Sequence, residues 1–202
     1  MNNDLIVKIL LLIISYLIGS ISPSFLIARY IYGFDIRTKG SGNPGTTNAL
    51  RTMGPLVALI TLILDVLKGS AGAYLGYKFF GASFSPLTGL MSILGHNYPF
   101  YLNFKGGKGV ATTIGVAAVV APKVLFFCGG IGLVILAFTK MVSAAAVTGF
   151  ILLVGLSIYL LITHGVDNYV LMFLFVGVLN IYRHRENIKR ILNGTENKIG
   201  KK

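Results

Sequence analysis

Two long stretches without a single charged residue constrain this chain more than any other feature. They cover residues 9–28 and residues 141–163. About twenty apolar residues are enough for a helix to cross the hydrocarbon core of a bilayer. Charged residues make up only 12% of the chain, whereas soluble domains carry about 25%. We therefore expect an integral membrane protein.

Hydropathy divides the chain into seven candidate helices and predicts an all-α fold. Residues 110–138 form one long helix or two short ones broken near Pro122, and charge decides between these alternatives. If residues 110–138 form two helices, fourteen basic residues fall on one side of the membrane and three on the other. The positive-inside rule then favours seven spans, with the N-terminus outside and the C-terminus cytoplasmic. The predicted spans are 4–28, 55–77, 84–102, 110–121, 123–138, 142–163 and 167–182.

The chain shows no internal repeat and no appended soluble domain, so residues 1–202 are interpreted as one membrane domain. Its net charge of +12 comes from 18 basic and 6 acidic residues. The basic residues lie between and after the spans, where anionic lipid headgroups explain them. Membrane lipids are therefore expected partners, and nucleic acid is not.

Polar residues gather in four segments that this topology places at the cytoplasmic face. The first is residues 35–51, DIRTKGSGNPGTTNALR. Its three glycines and its one proline prevent a regular helix until after Pro44. Each hydroxyl or amide taken singly also fits as a helix cap, but the group is too dense for a simple connector. The candidate site residues here are Ser41, Asn43, Asn48 and Arg51.

The second polar segment, residues 96–113, contains the glycine-rich loop KGGKG at residues 105–109. Lys108 is followed by glycine and not by Ser or Thr, so the Walker A spacing is absent and no nucleotide partner is expected. Glycines allow positive φ and close backbone approach, and the amides that open the next helix favour an anion. A simple basic turn is the alternative. The candidate phosphate-binding residues are His96, Lys105, Gly106, Gly107, Lys108 and Gly109.

The remaining two segments are shorter. The connector at residues 139–143 carries Ser143, which is either a helix cap or a phosphate contact. Residues 182–192, YRHRENIKRIL, fit an interfacial helix whose basic residues meet lipid headgroups. That interpretation leaves His184 and Asn187, three residues apart on one face, unexplained.

Two ionisable residues, Asp65 and Lys68, lie three apart inside the second predicted span. Ionisable side chains within a span usually face the protein interior and pair. They form a structural ion pair, or Lys68 reaches the anion site; both interpretations stay open at this point.

The chemistry available to these segments is rich in cations and poor in carboxylates. No pair of carboxylates has the spacing of a two-carboxylate acid/base site, and no His, Asp or Glu cluster has metal-ligand spacing. The lone cysteine, Cys128, excludes an internal disulfide. We expect no metal and no cofactor. Such a site suits phosphorylated anions and chemistry that depends on orientation and oxyanion stabilisation.

Three motifs in series resemble one family closely. GSGNPGTTNALR, GHNYPFYLNFKGGKGVAT and HRENIKRIL occur in this order in the bacterial acyl-phosphate-dependent glycerol-3-phosphate acyltransferases, the PlsY family. The resemblance covers nearly the whole chain, and LDVLKG at residues 64–69 also fits the pattern. It implies acyl transfer from acyl phosphate to the 1-hydroxyl of glycerol 3-phosphate, the first step of bacterial phospholipid synthesis, at the cytoplasmic membrane.

The resemblance also implies roles for individual residues. Ser41, Asn43 and Arg51 belong to the first essential motif, and His184 and Asn187 to the third. The glycine-rich loop is implied to hold glycerol 3-phosphate, with Ser143 as a supporting phosphate contact. The proton of the attacking hydroxyl passes to a phosphate oxygen of the donor or to His184. Lys68, His96 and Asn48 are further expected substrate contacts.

Two other classes of function remain as alternatives. A transporter of small phosphorylated anions fits seven spans and a basic pocket, although transporters commonly contain paired repeats. A structural or lipid-sensing membrane protein is the third hypothesis. Phosphate release from palmitoyl phosphate that depends on glycerol 3-phosphate distinguishes the enzyme from both.

Overall fold

A computed structural model describes residues 3–200, and every regular element in that range is a helix. The all-α expectation is confirmed. Contacts divide the chain into two compact units, one ending at Val120 and the other beginning at Ala121. The single domain over residues 1–202 stays a prediction. Lys201 and Lys202, which belong to the basic C-terminus of the sequence, lie outside the described residues.

The first unit is built around its longest helix, α4 (Pro55–Phe80), which packs against α1 (Asn3–Ser20), α5 (Ser85–Asn97) and α6 (Val110–Val120). Helix α4 begins with a proline at its first position, where no backbone donor is needed, and ends at Phe80, directly before Gly81 with φ 74°. The α-helices of this unit are α1 (Asn3–Ser20), α2 (Pro23–Tyr30), α3 (Thr46–Met53), α4 (Pro55–Phe80), α5 (Ser85–Asn97) and α6 (Val110–Val120), with 3₁₀ turns at Ile36–Thr38 and Phe100–Leu102.

Small residues let the helices of this unit approach until their backbones touch. A Cβ added at Gly19 of α1 would overlap the backbone of Ser92 in α5. A Cβ added at Gly69 of α4 would likewise overlap the backbone of Thr112 in α6. Lipid tails are as apolar as leucine, so helices in a membrane associate through close packing of this kind.

The first predicted span, 4–28, is not continuous, and that expectation is wrong. Helix α1 ends at Ser20 and α2 begins at Pro23. The hydropathy of this stretch is uninterrupted, but proline supplies no amide hydrogen and its ring excludes the preceding helical turn. The chain therefore unwinds over residues 21–22.

Side chains from other elements satisfy the backbone at this break. The Tyr101 hydroxyl donates to the carbonyl of Ser20 at 3.0 Å and accepts from the amide of Ser22 at 2.9 Å. Lys68 Nζ donates to the carbonyl of Ile21 at 2.5 Å. Non-helical backbone at membrane depth is tolerated only where such partners cover it. The break is thus a built feature of the unit.

Helix lengths separate long spans from short ones. In the described range, four helices are long and apolar enough to cross a membrane: α1, α4, α7 (Pro122–Thr139) and α8 (Val142–His164). Helix α5 has 13 residues and α6 has 11, whereas a crossing of about 30 Å needs about twenty at 1.5 Å per residue. The predicted span 84–102 leaves the α-helix after Asn97, because Pro99 follows. The expected break near Pro122 is confirmed, since Pro122 opens α7.

The second unit is a set of helices arranged around α8, which packs against α7 and α9. Large apolar side chains point outward from it; Phe138 is 84% exposed and Ile162 is 78% exposed. Exposure of this kind is expected where lipid surrounds the helices. The helices of this unit are α7 (Pro122–Thr139), α8 (Val142–His164), α9 (Asn168–Arg183) and α10 (Arg185–Leu192).

Candidate active site

The first polar segment, residues 35–51, is folded around the side chain of Asn48, which is 1% exposed. Asn48 Oδ1 accepts from the amide of Ser41 at 2.8 Å. Asn48 Nδ2 donates to the carbonyls of Ile36 at 3.1 Å and Lys39 at 3.0 Å. Asn48 therefore holds the loop that carries Ser41, and its contact with substrate stays a prediction.

Three further candidates lie on this folded segment. Ser41 is exposed, Asn43 is half-buried, and Arg51 is exposed in the last turn of α3. The segment thus offers a hydroxyl, an amide and a guanidinium on one continuous piece of backbone. Guanidinium groups bind phosphate through two parallel hydrogen bonds, so this set can hold a phosphorylated ligand.

An ion pair ties the first segment to the approach of the glycine-rich loop. Arg37 Nη2 lies 2.8 Å from Asp35 Oδ2, and Arg37 Nη1 donates to the carbonyl of Leu102 at 3.1 Å. Hydrogen bonds from Arg37 hold the pKa of Asp35 below its usual value. The structure therefore brings the first and second polar segments together.

The glycine-rich loop closes back onto the end of α5. The amides of Gly106 and Gly107 donate to the carbonyls of Asn97 and His96, each at 3.1 Å. These carbonyls belong to the last turn of α5, where helical partners are lacking. Two of the loop amides are therefore already used in hydrogen bonds within the protein.

The three loop glycines serve two different purposes. Gly109 has φ 78°, the left-handed backbone that was expected. The expectation does not hold for Gly106 and Gly107, where a Cβ would instead overlap the carbonyl or the imidazole of His96. Close packing, and not positive φ, requires glycine at these two positions.

The groups suited to meet an anion lie on either side of those amides. Lys105 is exposed and Lys108 is half-buried. Helix α6 then begins at Val110, and its first turn presents amides without helical partners together with the positive end of the helix dipole. Two lysines beside a helix N-terminus form a suitable phosphate cradle.

A buried ionic cluster lies beneath the loop. Asp65 is 1% exposed, and its Oδ1 lies 2.8 Å from Lys68 Nζ and 3.4 Å from His96 Nδ1. Lys68 and His96 are themselves 7% and 6% exposed. The position of Lys68 matches the structural ion pair, the first of its two predicted roles. Its contact with substrate, like that of His96, stays a prediction.

In the second unit, His184 lies at the junction of α9 and α10 and is 3% exposed. Its Nδ1 is 2.8 Å from the carbonyl of Asn180. A carbonyl only accepts hydrogen bonds, so Nδ1 carries the hydrogen, and Nε2 is the basic nitrogen of the neutral ring. This tautomer allows His184 to accept a proton or, when charged, to donate to phosphate.

Asn187 is held by a residue that sequence analysis did not identify. Its Nδ2 lies 3.3 Å from each carboxylate oxygen of Glu196, and Arg190 Nε donates to Glu196 Oε2 at 2.9 Å. Gly194, with φ 69°, turns the chain after α10 so that Glu196 returns to this helix. The available signal was a lone acidic residue in a basic tail, just after a glycine.

Ser143 lies in the connector of residues 139–143, and the residues that follow α10 contact the same connector. Ser143 is the second residue of α8 and is 8% exposed, with no hydrogen-bond partner for its hydroxyl among residues 3–200. Nearby, the carbonyl of Lys140 accepts from the amide of Ile199 at 2.8 Å. Helix α10, which carries Asn187, also packs against α8. The second unit therefore brings the connector and the third motif onto neighbouring elements.

The described side chains offer anion binding and hydrogen bonding. Within residues 3–200, no group of three or more His, Cys, Asp or Glu side chains is placed to hold a metal ion. The candidate residues supply guanidinium, ammonium, imidazole, hydroxyl and amide groups. Their chemistry suits the orientation of phosphorylated substrates and the stabilisation of developing negative charge.

Comparisons with known proteins agree with these features. The family model described as glycerol-3-phosphate acyltransferase matches residues 9–194. The chain is 42% identical to a glycerol-3-phosphate acyltransferase of Alkaliphilus metalliredigens, covering 97% of this chain and 98% of the relative. It is 44% identical to a glycerol-3-phosphate acyltransferase 2 of Moorella thermoacetica, covering 96% and 98%.

Two crystal structures of PlsY (YgiH), an integral membrane glycerol 3-phosphate acyltransferase, also resemble it. The glycerol 3-phosphate form aligns with a TM-score of 0.86 and 40% identity over 96% of each chain. The lysophosphatidic acid form aligns with a TM-score of 0.83 and 40% identity, over 96% of this chain and 95% of the other.

Proposed function

Because this chain belongs to the glycerol-3-phosphate acyltransferase family and is a membrane acyltransferase, we propose that its acyl donor is a fatty acyl phosphate. The acceptor is the sn-1 hydroxyl of glycerol 3-phosphate. The products are lysophosphatidic acid and inorganic phosphate, and the reaction opens bacterial phospholipid synthesis.

The pairing of the carboxylates near the polar segments carries this proposal. Asp35 pairs with Arg37, Asp65 with Lys68, and Glu196 with Arg190. A carboxylate that is ion-paired is a weak base, because the neighbouring cation favours its charged form. An acyl phosphate is a mixed anhydride with a good leaving group, so it reacts without strong activation by the protein.

The proposed reaction is a direct acyl transfer. The sn-1 hydroxyl oxygen attacks the carbonyl carbon of the donor, and the bond from that carbon to the bridging phosphate oxygen breaks. The hydroxyl proton passes to an oxygen of the departing phosphate. The protein contributes by holding both substrates in line and stabilising the negative charge that develops.

In the first unit, we assign the glycine-rich loop to the phosphate of glycerol 3-phosphate. Lys105 and Lys108 supply charge, and the first amides of α6 supply hydrogen-bond donors. Arg51 shares the neutralisation of the two phosphates with these lysines. Ser41 and Asn43 contribute hydrogen bonds to the reacting groups.

In the second unit, we assign His184, Asn187 and Ser143 to substrate contacts. The Nδ1 hydrogen bond of His184 fixes its tautomer, so Nε2 is the atom that meets the substrate. In this assignment the Ser143 hydroxyl, at the start of α8, donates a hydrogen bond to a substrate phosphate. His184 is the alternative proton acceptor to the donor phosphate.

A replacement of His184 by alanine distinguishes these two proton acceptors. A loss of kcat below about tenfold, or about 1.4 kcal/mol, excludes His184 as an obligatory base and leaves the donor phosphate in that role. A loss of about a thousandfold, within the range that a general base contributes, favours His184.

The donor is tested with purified protein in detergent. Palmitoyl phosphate is expected to release inorganic phosphate only when glycerol 3-phosphate is present, with lysophosphatidic acid formed in equal amount. Palmitoyl-coenzyme A at the same concentration is expected to give no product. Transfer from the thioester at a comparable rate would refute the acyl phosphate assignment.

We also propose seven spans in the bacterial cytoplasmic membrane, with the active site facing the cytoplasm. The distribution of Lys and Arg supports this orientation. In a Cys128→Ser background, an impermeant maleimide is expected to label Lys78→Cys in intact cells. It is expected to label Lys198→Cys only after permeabilisation. Labelling of both in intact cells would indicate six spans.

A further inference from the structure

The buried carboxylate of Asp65 has no part in the proposed chemistry. It lies in the middle of α4, in a helix long and apolar enough to cross the membrane. Removing a charge from water is costly, and ionisable residues within a span commonly serve function. The position of Asp65 therefore indicates a role beyond its ion pair with Lys68.

Asp65 contacts two side chains, and these connect it to different parts of the first unit. Lys68, on the same helix, extends to the carbonyl of Ile21 at the break between α1 and α2. His96, from α5, places Nδ1 3.4 Å from Asp65 Oδ1. This contact between the carboxylate and Nδ1 restrains the orientation of the imidazole ring.

The opposite side of that imidazole supports the glycine-rich loop. The Cα of Gly107 lies so close to His96 that an added Cβ would meet Nε2 first and the neighbouring ring carbons next. The carbonyl of His96 accepts from the amide of Gly107 at 3.1 Å. Both the ring and the backbone of His96 therefore define where Gly107 lies, immediately before Lys108.

We propose that Asp65 is a positioning residue for the glycine-rich loop, acting through the imidazole of His96. Asp65 fixes the ring, the ring fixes Gly107, and Gly107 sets the position of Lys108 and of the amides that open α6. The inference rests on the proposed function, in which this loop holds the phosphate of glycerol 3-phosphate. Asp65 then controls affinity for that substrate without touching it.

The test is a double-mutant cycle with Asp65→Asn and His96→Gln. Asparagine keeps the size and one acceptor oxygen of Asp65 but removes its charge, and glutamine keeps a polar group near the position of Nε2. Asp65→Asn is expected to raise KM for glycerol 3-phosphate about tenfold, equivalent to about 1.4 kcal/mol. KM for acyl phosphate is expected to change less than about twofold.

Coupling between the two substitutions is the decisive result. In the His96→Gln background, adding Asp65→Asn is expected to change KM for glycerol 3-phosphate less than about twofold, because the path to the loop is already broken. Independent, additive effects would overturn the proposal, as would an equal rise in the KM of both substrates.

Two controls separate positioning from folding. Ser92→Ala removes a hydrogen bond of 3.0 Å to the carbonyl of Lys68, in the same interface of α4 and α5. It is expected to lower thermal stability without changing KM for glycerol 3-phosphate. If Asp65→Asn does not yield folded protein, Asp65→Asn combined with Lys68→Gln removes the orphaned ammonium, and the same KM pattern is required of it.

Lys108→Ala distinguishes failure of this inference from failure of the proposed function. It is expected to raise KM for glycerol 3-phosphate at least tenfold, because it removes a charged hydrogen-bond donor to the phosphate. If it does so and Asp65→Asn does not, only the positioning role fails. If Lys108→Ala leaves KM unchanged, the phosphate assignment of the loop fails and the role of Asp65 fails with it.

Discussion

Within the described residues, each unit buries one carboxylate, and the two are neutralised in different ways. Asp65, 1% exposed, pairs with Lys68, whose side chain is 6% exposed. Glu196, 7% exposed, pairs with Arg190, whose side chain is 38% exposed. The cation opposite Asp65 is thus buried, whereas the cation opposite Glu196 has access to solvent. Loss of the two carboxylates should therefore have unequal consequences.

Asp65→Ala is expected to destabilise the protein more than the loss of any other paired carboxylate. It leaves the Lys68 ammonium buried without its partner, which costs about 3–5 kcal/mol. Thermal unfolding in detergent, followed by circular dichroism, measures the loss. Asp65→Leu combined with Lys68→Met replaces the pair by apolar side chains and should recover most of the stability. A double variant as unstable as Asp65→Ala would contradict the explanation.

Glu196→Ala is expected to destabilise less, by about 1–3 kcal/mol. Arg190 can be hydrated after the change, and the remaining cost comes from the buried amide of Asn187. The turnover rate should also fall, because Asn187 loses the contact that orients it. Glu186→Ala is the matched control, since its carboxylate is 59% exposed and its ion pairs are 3.7–3.8 Å long. Equal effects of the two substitutions would show that burial of Glu196 is unimportant.

Gly194→Ala tests whether Glu196 depends on the turn that returns it to α10. A Cβ there meets no atom within 4 Å, so its cost is the left-handed backbone alone, about 1–2 kcal/mol. Gly155→Ala is the control, because its surroundings are equally open but its helical backbone should favour alanine by about 0.5–1 kcal/mol. Destabilisation by both substitutions would point to packing and not to backbone conformation.

The partly exposed pair of Asp35 and Arg37 should contribute least. Arg37 holds the pKa of Asp35 below its usual value. The stabilisation is therefore present above the ordinary carboxyl pKa of about 3.9 and is lost as pH falls through the lower folded-state pKa. Both side chains are about a quarter exposed, so Arg37→Gln should cost less than about 1 kcal/mol. The difference from wild type should shrink as pH falls below the ordinary carboxyl pKa, leaving only the hydrogen bond from Arg37 to the carbonyl of Leu102; a difference that does not change with pH would exclude the ion pair as its source.

Spacing along one helix explains why Asp65 was predictable and Glu196 was not. Asp65 and Lys68 are three residues apart within an apolar segment, so sequence alone indicates a pair. Asn187 and Glu196 are separated by the end of a helix and a left-handed turn. The contact depends on tertiary geometry that no local pattern specifies.

The same distinction between local sequence patterns and tertiary contacts holds for the fold and the rest of the site. Apolar runs predicted the all-α class, and Pro122 marked a helix boundary correctly. Pro23 marked another boundary that uninterrupted hydropathy concealed. The motifs identified the segments that carry Ser41 and His184, but not the role of Asn48 in holding the first loop. Hydropathy reports where a segment lies, whereas hydrogen bonds between segments depend on the assembled fold.

The backbone contacts at Gly19 and Gly69 have a consequence for variation in this protein. A hydropathy scale ranks glycine to leucine as a gain for a membrane helix, yet at these positions the added atoms would overlap a neighbouring backbone. In a saturation mutagenesis experiment, the most damaging substitutions inside the first unit should include some that increase the hydropathy of the side chain. Tolerance there should follow side-chain volume, whereas at outward-facing positions such as Phe138 it should follow polarity.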